Sequence, residues 1–433
     1  MSEKIYDVIG VGIGPFNLSL ACLSDGIADL DCLYLDQKPS FNWHPGMMLE
    51  SAHLQTPFMA DLVTLADPTS RFSVLNYLKQ KGKLYSFYIR EDFFLLRKEY
   101  NQYCQWACEQ LPSLRWNTRV ERVTRDERRE CYAVEAINTL TGQRQQFFAY
   151  HLVLGTGPTP WMPEWVDPSL EQVVHSGHYL AKKAALQQLS AITIVGSGQS
   201  AAEIFYDLLQ DIDQHAYQLN WVTRAPRFFP LEYTRLTLEM TSPEWVDYFH
   251  ALPEAQRDQL NARQKNLYKG INESLINDIY AMLYRKELDG PLPVTLCTDS
   301  GLVSIEQESS RKLTLTLQHQ VLDQQFTIAT EGMIMSTGYA YHPPAFLRPL
   351  FPLIRFDSQQ RYAVSRDYSI DSQHSLFVQN AELHTHGFVT PDLGMACYRN
   401  SVILRAIVGR EVYPVERKIA FQTFGLPKEA VHG

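Results

Sequence analysis

No run of about 20 apolar residues occurs anywhere in this chain, so nothing in it reaches the length that a membrane-spanning helix needs. Basic charge is not in excess either. Against 39 Lys and Arg stand 48 Asp and Glu, a formal net charge of −9. That balance argues against a nucleic-acid surface, because duplex binding rests on clustered positive charge. Cysteine is sparse: seven residues, an odd number and scattered, which suits reduced thiols in the cytoplasm better than a disulfide framework. Cys104 and Cys108 lie four apart, which on a helix makes them small residues of one face. A redox pair would want two residues between them. The first residues lack a basic region followed by an apolar core, so a secretory signal is not expected. No Ser/His/Asp triad, metal cluster or catalytic thiol stands out, and there are no repeats or low-complexity stretches. What remains is an ordinary globular composition, 45% hydrophobic and 20% charged. At 433 residues it suits about two to three domains with a sizeable core.

Against those absences, one stretch is rich in signal. The apolar run from Ile5 to Ile9 leads into Gly10-Val11-Gly12-Ile13-Gly14-Pro15, and Leu18 to Leu23 continues at helical spacing. Strand, tight turn and helix form the setting of a dinucleotide-binding site. The glycines let the backbone approach a pyrophosphate, and the free N–H groups at the helix start bind its charge. An acid at the end of the next strand should hold a ribose hydroxyl, and Asp36 stands there, 26 residues after Gly10. Pro15 occupies the place where the common pattern has its third glycine.

Further along, residues 39–57 are dense in Pro, Gly and aromatics, which predicts an ordered loop lying against something flat. Residues 75–80 and 93–110 read as helices, while 116–123 and 132–137 read as antiparallel strands with a turn at 141–142. The strand 150–154 runs into Gly155-Thr156-Gly157-Pro158. A second strand–turn–helix begins at 191, with Gly196-Ser197-Gly198-Gln199-Ser200-Ala201 as its turn; the small third residue permits close helix packing. The strand that follows ends in Arg224 rather than an acid, which suits a ribose 2′-phosphate and so NADPH over NADH. Residues 228–290 change character to helices and loops. Strands resume at 302–305, 313–317 and 326–329. Met335-Ser336-Thr337-Gly338 repeats the strand-to-Thr-Gly pattern, 376–380 is a last strand, and 393–409 a last long helix.

Two dinucleotide turns 186 residues apart predict an α/β protein with two Rossmann-like domains, for FAD and NADPH, and a small helical substrate-binding insertion. The expected division is a FAD-binding part at 1–187, an NADPH-binding domain at 188–331 that includes the helical segment at about 228–290, and a FAD-completing part at 332–433. Such proteins pass hydride from nicotinamide to flavin.

The set Gly12-Ile13-Gly14-Pro15-Phe16-Asn17-Leu18-Ser19, Trp43-His44-Pro45-Gly46-Met47, Asn76-Tyr77-Leu78, Gly196-Ser197-Gly198-Gln199-Ser200-Ala201, Ser336-Thr337-Gly338-Tyr339 and Thr385-His386-Gly387 resembles the microbial siderophore-pathway N-hydroxylating monooxygenases. These are the lysine N6- and ornithine N5-hydroxylases and their diamine-using relatives. The motifs keep their order from residue 4 to about 410, and the resemblance accounts for Pro15, since that family writes its FAD turn this way. It implies that NADPH reduces FAD, that reduced flavin takes up O2 as a C4a-hydroperoxide, and that the distal oxygen goes to an unprotonated primary amine. A terminal amine has an unperturbed pKa of about 10.4, so a desolvated pocket would help. The resemblance places Gln55 near the reactive edge of the flavin, with Trp43 and His44 beside the isoalloxazine. It gives Val120, Gly338, His386 and Leu393 to the cofactor site, Gln199, Ser200 and Arg224 to NADPH, and Asn272 to substrate and nicotinamide nucleotide. It also implies a cytoplasmic homo-oligomer, a tetramer, with no metal.

Two departures bear on substrate. The amino-acid hydroxylases carry a Lys where this chain has Ala60, and read Leu-Ser where it has Leu393-Gly394. That Lys is thought to pair with the substrate carboxylate, and that Ser helps to hold the amino-acid head. Without them a carboxylate would be left unpaired, at a cost of several kcal/mol, whereas Asp392 could attract a distal ammonium. The expectation is a diamine, cadaverine before putrescine, with L-lysine or L-ornithine as the alternative. Flavin monooxygenases of sulfur or carbonyl compounds are a more distant alternative; they carry Phe-x-Gly-x-x-x-His between the turns, which His175-Ser176-Gly177-His178 only partly resembles. A non-enzymatic nucleotide-binding module also fits the pattern of turns alone.

Overall fold

The computed structural model describes residues 4–427. Strand Ile5–Val11 buries its last four residues and lies parallel to Cys32–Leu35 on one side and Arg144–Leu154 on the other. The seven-stranded sheet built on it runs in the order Leu114–Arg115, Cys32–Leu35, Ile5–Val11, Arg144–Leu154, Cys131–Asn138, Thr118–Asp126. Arg144–Leu154 is long enough to serve two partners. Its first half pairs antiparallel with Cys131–Asn138, and its last three residues pair in parallel with Leu376–Val378. The C-terminal segment thus completes the first sheet.

A second, five-stranded sheet is wholly parallel: Val294–Cys297, Gln218–Val222, Ala191–Val195, Gly332–Met335, Val173–His175. It differs from the expected division at both ends. Val173–His175, placed above in the first FAD part, pairs here with Gly332–Met335, itself placed above in the completing part. Three residues without alternation are too short a strand to announce itself. Beside this sheet packs an antiparallel one, Ser300–Ser309, Lys312–His319 and Gln324–Thr330, whose Leu313 and Leu315 bury against Met333 and Met335. The two chain crossings between the large sheets meet as a short antiparallel pair, Thr159–Pro160 with Tyr339–Ala340.

The insertion around 228–290 carries helices Pro243–Ala251, Glu254–Arg263 and Glu273–Glu287, with a break at Leu252 before Pro253. It touches both large units. Trp245, Val246 and Phe249 bury against Phe388, Val389 and Met395 of the C-terminal segment. Ile271, Ile279 and Met282 bury against Ala201, Ile204 and Phe205 of the second unit. Arg361 also joins Asp258 at 2.8 Å and Asp357 at 2.7 Å, tying the insertion to the first unit. Among the described residues no helix is long and apolar enough to cross a membrane, and no three His, Cys, Asp or Glu gather as metal ligands.

Candidate active site

A cleft of about 3130 Å³ passes both glycine turns and runs on beneath the helical insertion. At the first turn Gly12 takes φ +89°, and a Cβ there would sit 2.5 Å from the Gly155 carbonyl oxygen, so a side chain is excluded twice over. Gly14 precedes helix Pro15–Ser24 with no side-chain cap, and no protein atom lies within 4 Å of its missing Cβ. The helix start is therefore open to the cleft, with backbone N–H groups for an anion. Gly10, expected in the cofactor site, is not among the residues that line the cleft. It lies inside the strand, where a Cβ would meet the Tyr34 ring at 2.3 Å, so its smallness serves packing.

Asp36 lines the cleft, but each of its oxygens already accepts a backbone N–H: Oδ2 from Ile13 at 2.7 Å and Oδ1 from Lys38 at 2.8 Å. The acid braces the turn, and a ribose hydroxyl would use the remaining lone pairs. Sequence reasoning left Asn17 without a role. Its Nδ2 donates to the Gly12 carbonyl at 2.8 Å, and its Oδ1 accepts from Gln379 Nε2 at 2.7 Å. This buried amide thus stitches the turn to the end of the last strand. Ser336 and Gln379 line the cleft, and buried Ser336 Oγ and Gln379 Oε1 have no partner among the described residues. Such atoms are costly unless something polar meets them, so the residues fit a long polar ligand such as a dinucleotide. Val120, Gly338 and Leu393 line the cleft as well.

The loop with Trp43 and His44 is held from outside. Gly46 packs so closely on the 176–178 turn that a Cβ would stand 1.9 Å from the Gly177 carbonyl oxygen. The His175–His178 segment is thereby explained as the seat of this loop. Trp43 donates its backbone N–H to Asn101 Oδ1 at 2.9 Å and sets its ring edge-on to Tyr100. The cleft walls, with Arg97 and Lys38 adding repulsion, lower the His44 pKa, although the residue keeps an exposed face toward the open cleft, and its imidazole is neutral at pH 7.

At the second turn Gly196 has φ +142° and a Cβ would lie 2.4 Å from Ser336 O. Gly198 precedes helix Gln199–Asp211, again without a side-chain cap, and Ser200 and Arg224 line the cleft. Arg224 has company that the sequence did not flag. Lys265 and Lys269, one helical turn apart, line the same stretch, and burial plus the charges of Lys265 and Arg224 lower the pKa of Lys269. Three cations facing one stretch of cleft suit a phosphate. Arg224→Ala should raise KM for NADPH about tenfold with kcat little changed, and should narrow the preference over NADH. Initial rates with both nucleotides test this.

Gln55 and Asn272, 217 residues apart, are brought together: Gln55 Nε2 donates to Asn272 Oδ1 at 2.9 Å. Asn272 stands at the N-cap of Glu273–Glu287 yet makes no side-chain cap, although Asn is among the best capping residues. Its amide is committed to the site instead.

Ala60, Asp392 and Gly394 also converge. A Cβ on Gly394 would lie 3.7 Å from Ala60 Cβ and 3.2 Å from Asp392 Oδ1. Asp392 Oδ1 accepts the Gly394 N–H at 2.7 Å. Burial raises its pKa in spite of that bond and of Arg399, and Arg399 is itself paired with buried Glu382 at 2.9 Å. Tyr233, whose pKa rises through desolvation and the charge of Asp392, meets Phe94 edge-on at 6.0 Å.

His386 departs from its expected role. It is fully buried, stacked on Tyr368 at 4.3 Å, with Nδ1 at 2.9 Å from Thr385 Oγ1. It is not among the residues that line the cleft; its ring packs between Tyr368 and His250, and Gly387 at φ +81° leaves room for the Phe249 ring.

The family model for L-lysine 6-monooxygenase/L-ornithine 5-monooxygenase matches residues 4–341. The chain is 54% identical over 424 residues to a putrescine N-hydroxylase of Shewanella oneidensis, a match that covers 98% of this chain and 85% of that protein. It is similar to the FAD-bound crystal structure of a cadaverine monooxygenase of the desferrioxamine pathway from Erwinia amylovora, with TM-score 0.97 and 64% identity over 99% of this chain and 100% of the other. An ornithine N-hydroxylase from Kutzneria sp. 744, solved with reduced FAD, NADP+ and L-ornithine, shares 26% identity at TM-score 0.86 over 94% of this chain and 99% of its own. The likeness runs end to end and includes both nucleotide turns: the protein belongs to the L-lysine 6-monooxygenase/L-ornithine 5-monooxygenase family, as an N-monooxygenase that uses FAD and NADPH.

Proposed function

We propose that the protein hydroxylates one terminal nitrogen of an aliphatic diamine, cadaverine before putrescine, in the cytoplasm and for a hydroxamate siderophore. The observation that carries the reading is the meeting of Ala60, Gly394 and Asp392. At this spot Ala60 and Gly394 supply no cation and no hydroxyl for a carboxylate, and Asp392 sets a half-buried acid beside them. A substrate carboxylate would face Asp392 with like charge, which is costly where water is excluded. A distal ammonium would instead gain a charge-assisted partner. The relatives that act on putrescine and cadaverine support the same choice.

FAD, when bound and reduced by NADPH, supplies the activation of O2. The chain's own residues do the rest. Gly14 and the open helix start would hold the pyrophosphate, and Arg224 with the two lysines would hold the nucleotide phosphate. Gln55 and Asn272 offer hydrogen-bonding groups where the amine must be oriented, and neutral His44 adds no charge against it. Exposed Tyr85, Tyr88 and Ile89 on helix Leu84–Arg90 support a homo-oligomer. Steady-state hydroxylamine formation with cadaverine, putrescine, L-lysine and L-ornithine is the test. A clear preference for cadaverine is expected; a preference for either amino acid would overturn the reading.

A further inference from the structure

The Gln55–Asn272 pair is the inner end of a longer chain of groups that crosses from one unit to the other. Arg97, at the start of helix Arg97–Cys108 in the first unit, grips Glu203 of the second unit with both nitrogens, Nη1 to Oε2 at 2.9 Å and Nη2 to Oε1 at 2.7 Å. The same Nη1 donates to the Met47 carbonyl at 2.6 Å, in the loop that carries Trp43 and His44. Both side chains are largely buried, Glu203 at 5% exposure and Arg97 at 12%. Four residues before Glu203 on its helix, Gln199 donates Nε2 to Glu203 Oε1 at 3.0 Å. Gln199 Oε1 then accepts the Asn272 backbone N–H at 2.9 Å. Around Gln55 Nε2 stand three oxygens and no donor: Asn272 Oδ1 at 2.9 Å, the Gly270 carbonyl at 3.4 Å and Gln199 Oε1 at 3.5 Å.

Each amide in this series is oriented by the one before it. A carboxylate paired with Arg97 can only accept, so Gln199 must turn its NH2 to Glu203 and its oxygen the other way. That oxygen, with Gly270 O, requires Gln55 to present NH2 on this side. Gln55, in turn, requires Asn272 to present Oδ1. The carbonyl of Gln55 and the NH2 of Asn272 are left without partners among the described residues. We propose that the Arg97–Glu203 pair is a positioning device that fixes the hydrogen-bond polarity of Gln55 and Asn272, so that the site offers one acceptor and one donor group to its ligands. Neither residue lines the cleft. They act through Gln199, whose amide is fixed by the carboxylate on one side and the Asn272 backbone N–H on the other, as the Gly270 carbonyl helps to fix that of Gln55.

The inference rests in part on the amine-hydroxylation reading, so the test separates the two. Glu203→Gln keeps the shape but offers an NH2 as well as an oxygen, which lets Gln199 turn over. In the FAD-loaded enzyme its NADP+ affinity, titrated by the perturbation of the flavin spectrum, should weaken about tenfold. Hydroxylamine formed per NADPH consumed should fall while FAD content stays at the parent level. An Arg97→Met/Glu203→Met double variant removes both charges and should melt close to the parent, because apolar replacement of a buried pair is tolerated. It should nonetheless share the weakened NADP+ affinity and the poor coupling. Parent-like NADP+ affinity in either variant overturns the proposal, as does coupling in the double variant equal to the parent's. If no diamine is hydroxylated by the parent enzyme, the function reading falls, while the NADP+ titrations still decide this one.

Discussion

If Asp392 holds the distal ammonium as proposed, Asp392→Asn should lower kcat/KM for a diamine about 100-fold, roughly 2.7 kcal/mol, by removing that charge. Asparagine is nearly isosteric, and its Oδ1 can still accept the Gly394 N–H that Asp392 accepts at 2.7 Å. The turn into the last long helix is thereby kept, and NADPH-driven flavin reduction without amine should stay within about twofold of the parent, since no nucleotide contact is touched. The effect should sit mainly in KM, because the ammonium is held alike before and during oxygen transfer. pH gives an independent check. Burial raises the Asp392 pKa, so the acid takes up a proton as pH falls through that raised value and its hold on the ammonium is lost. The nitrogen to be hydroxylated must shed its proton, from an unperturbed pKa of about 10.4, so activity rises with pH on that account too. Only the acidic limb belongs to Asp392. In the Asn variant the steepening of diamine KM toward low pH should disappear while the alkaline rise remains. Initial rates with cadaverine across a pH series, parent against variant, are the measurement.

What could be read from the chain alone was whatever is encoded locally. The two turns combine an apolar strand, closely spaced glycines and a helix within about fifteen residues, and both stand where they were expected. Arg224 likewise announced itself by standing at the end of the strand where an acid is usual. Contacts between distant segments carried no such signal. Only glycine fits at 46 against Gly177, yet nothing in either stretch names the other. Arg97 and Glu203 lie 106 residues apart, each on a helix where a charged residue usually means a solvated face. His386 shows the opposite failure. Its motif was legible but its direction was not, because a ring that stacks on Tyr368 and one that faces a cofactor leave the same trace in a sequence. Val173–His175 lies inside the expected FAD-binding part without a strand signal of its own, because three residues are too few for alternation to show. Asn17 was visible inside the first motif, but its bond to Gln379 joins residues 362 apart, a partnership that only the fold reveals.

Gly12 and Gly14 should therefore fail in different ways when each is replaced by alanine. At Gly12 the new methyl would stand 2.5 Å from the Gly155 carbonyl oxygen with φ held at +89°. Positive φ alone costs an alanine about 1–2 kcal/mol, and the backbone on the other side cannot swing away as a side chain could. The sum, on the order of 3 kcal/mol or more, is a large part of ordinary stability. Gly12→Ala should thus lower the melting temperature of the protein stripped of FAD by several degrees and yield little flavoprotein. At Gly14 the backbone is extended and no protein atom lies within 4 Å of the added Cβ. Gly14→Ala should leave the stripped protein's melting temperature at the parent value. Its methyl meets only what occupies the cleft, so FAD affinity should drop about 100-fold or more as the pyrophosphate is pushed from the helix start. Thermal melts of the stripped variants and flavin titrations monitored by fluorescence separate the two effects. Equal melting temperatures for Gly12→Ala and Gly14→Ala would show that the turn tolerates a side chain facing Gly155, and normal flavin affinity in Gly14→Ala would place the pyrophosphate elsewhere in the cleft.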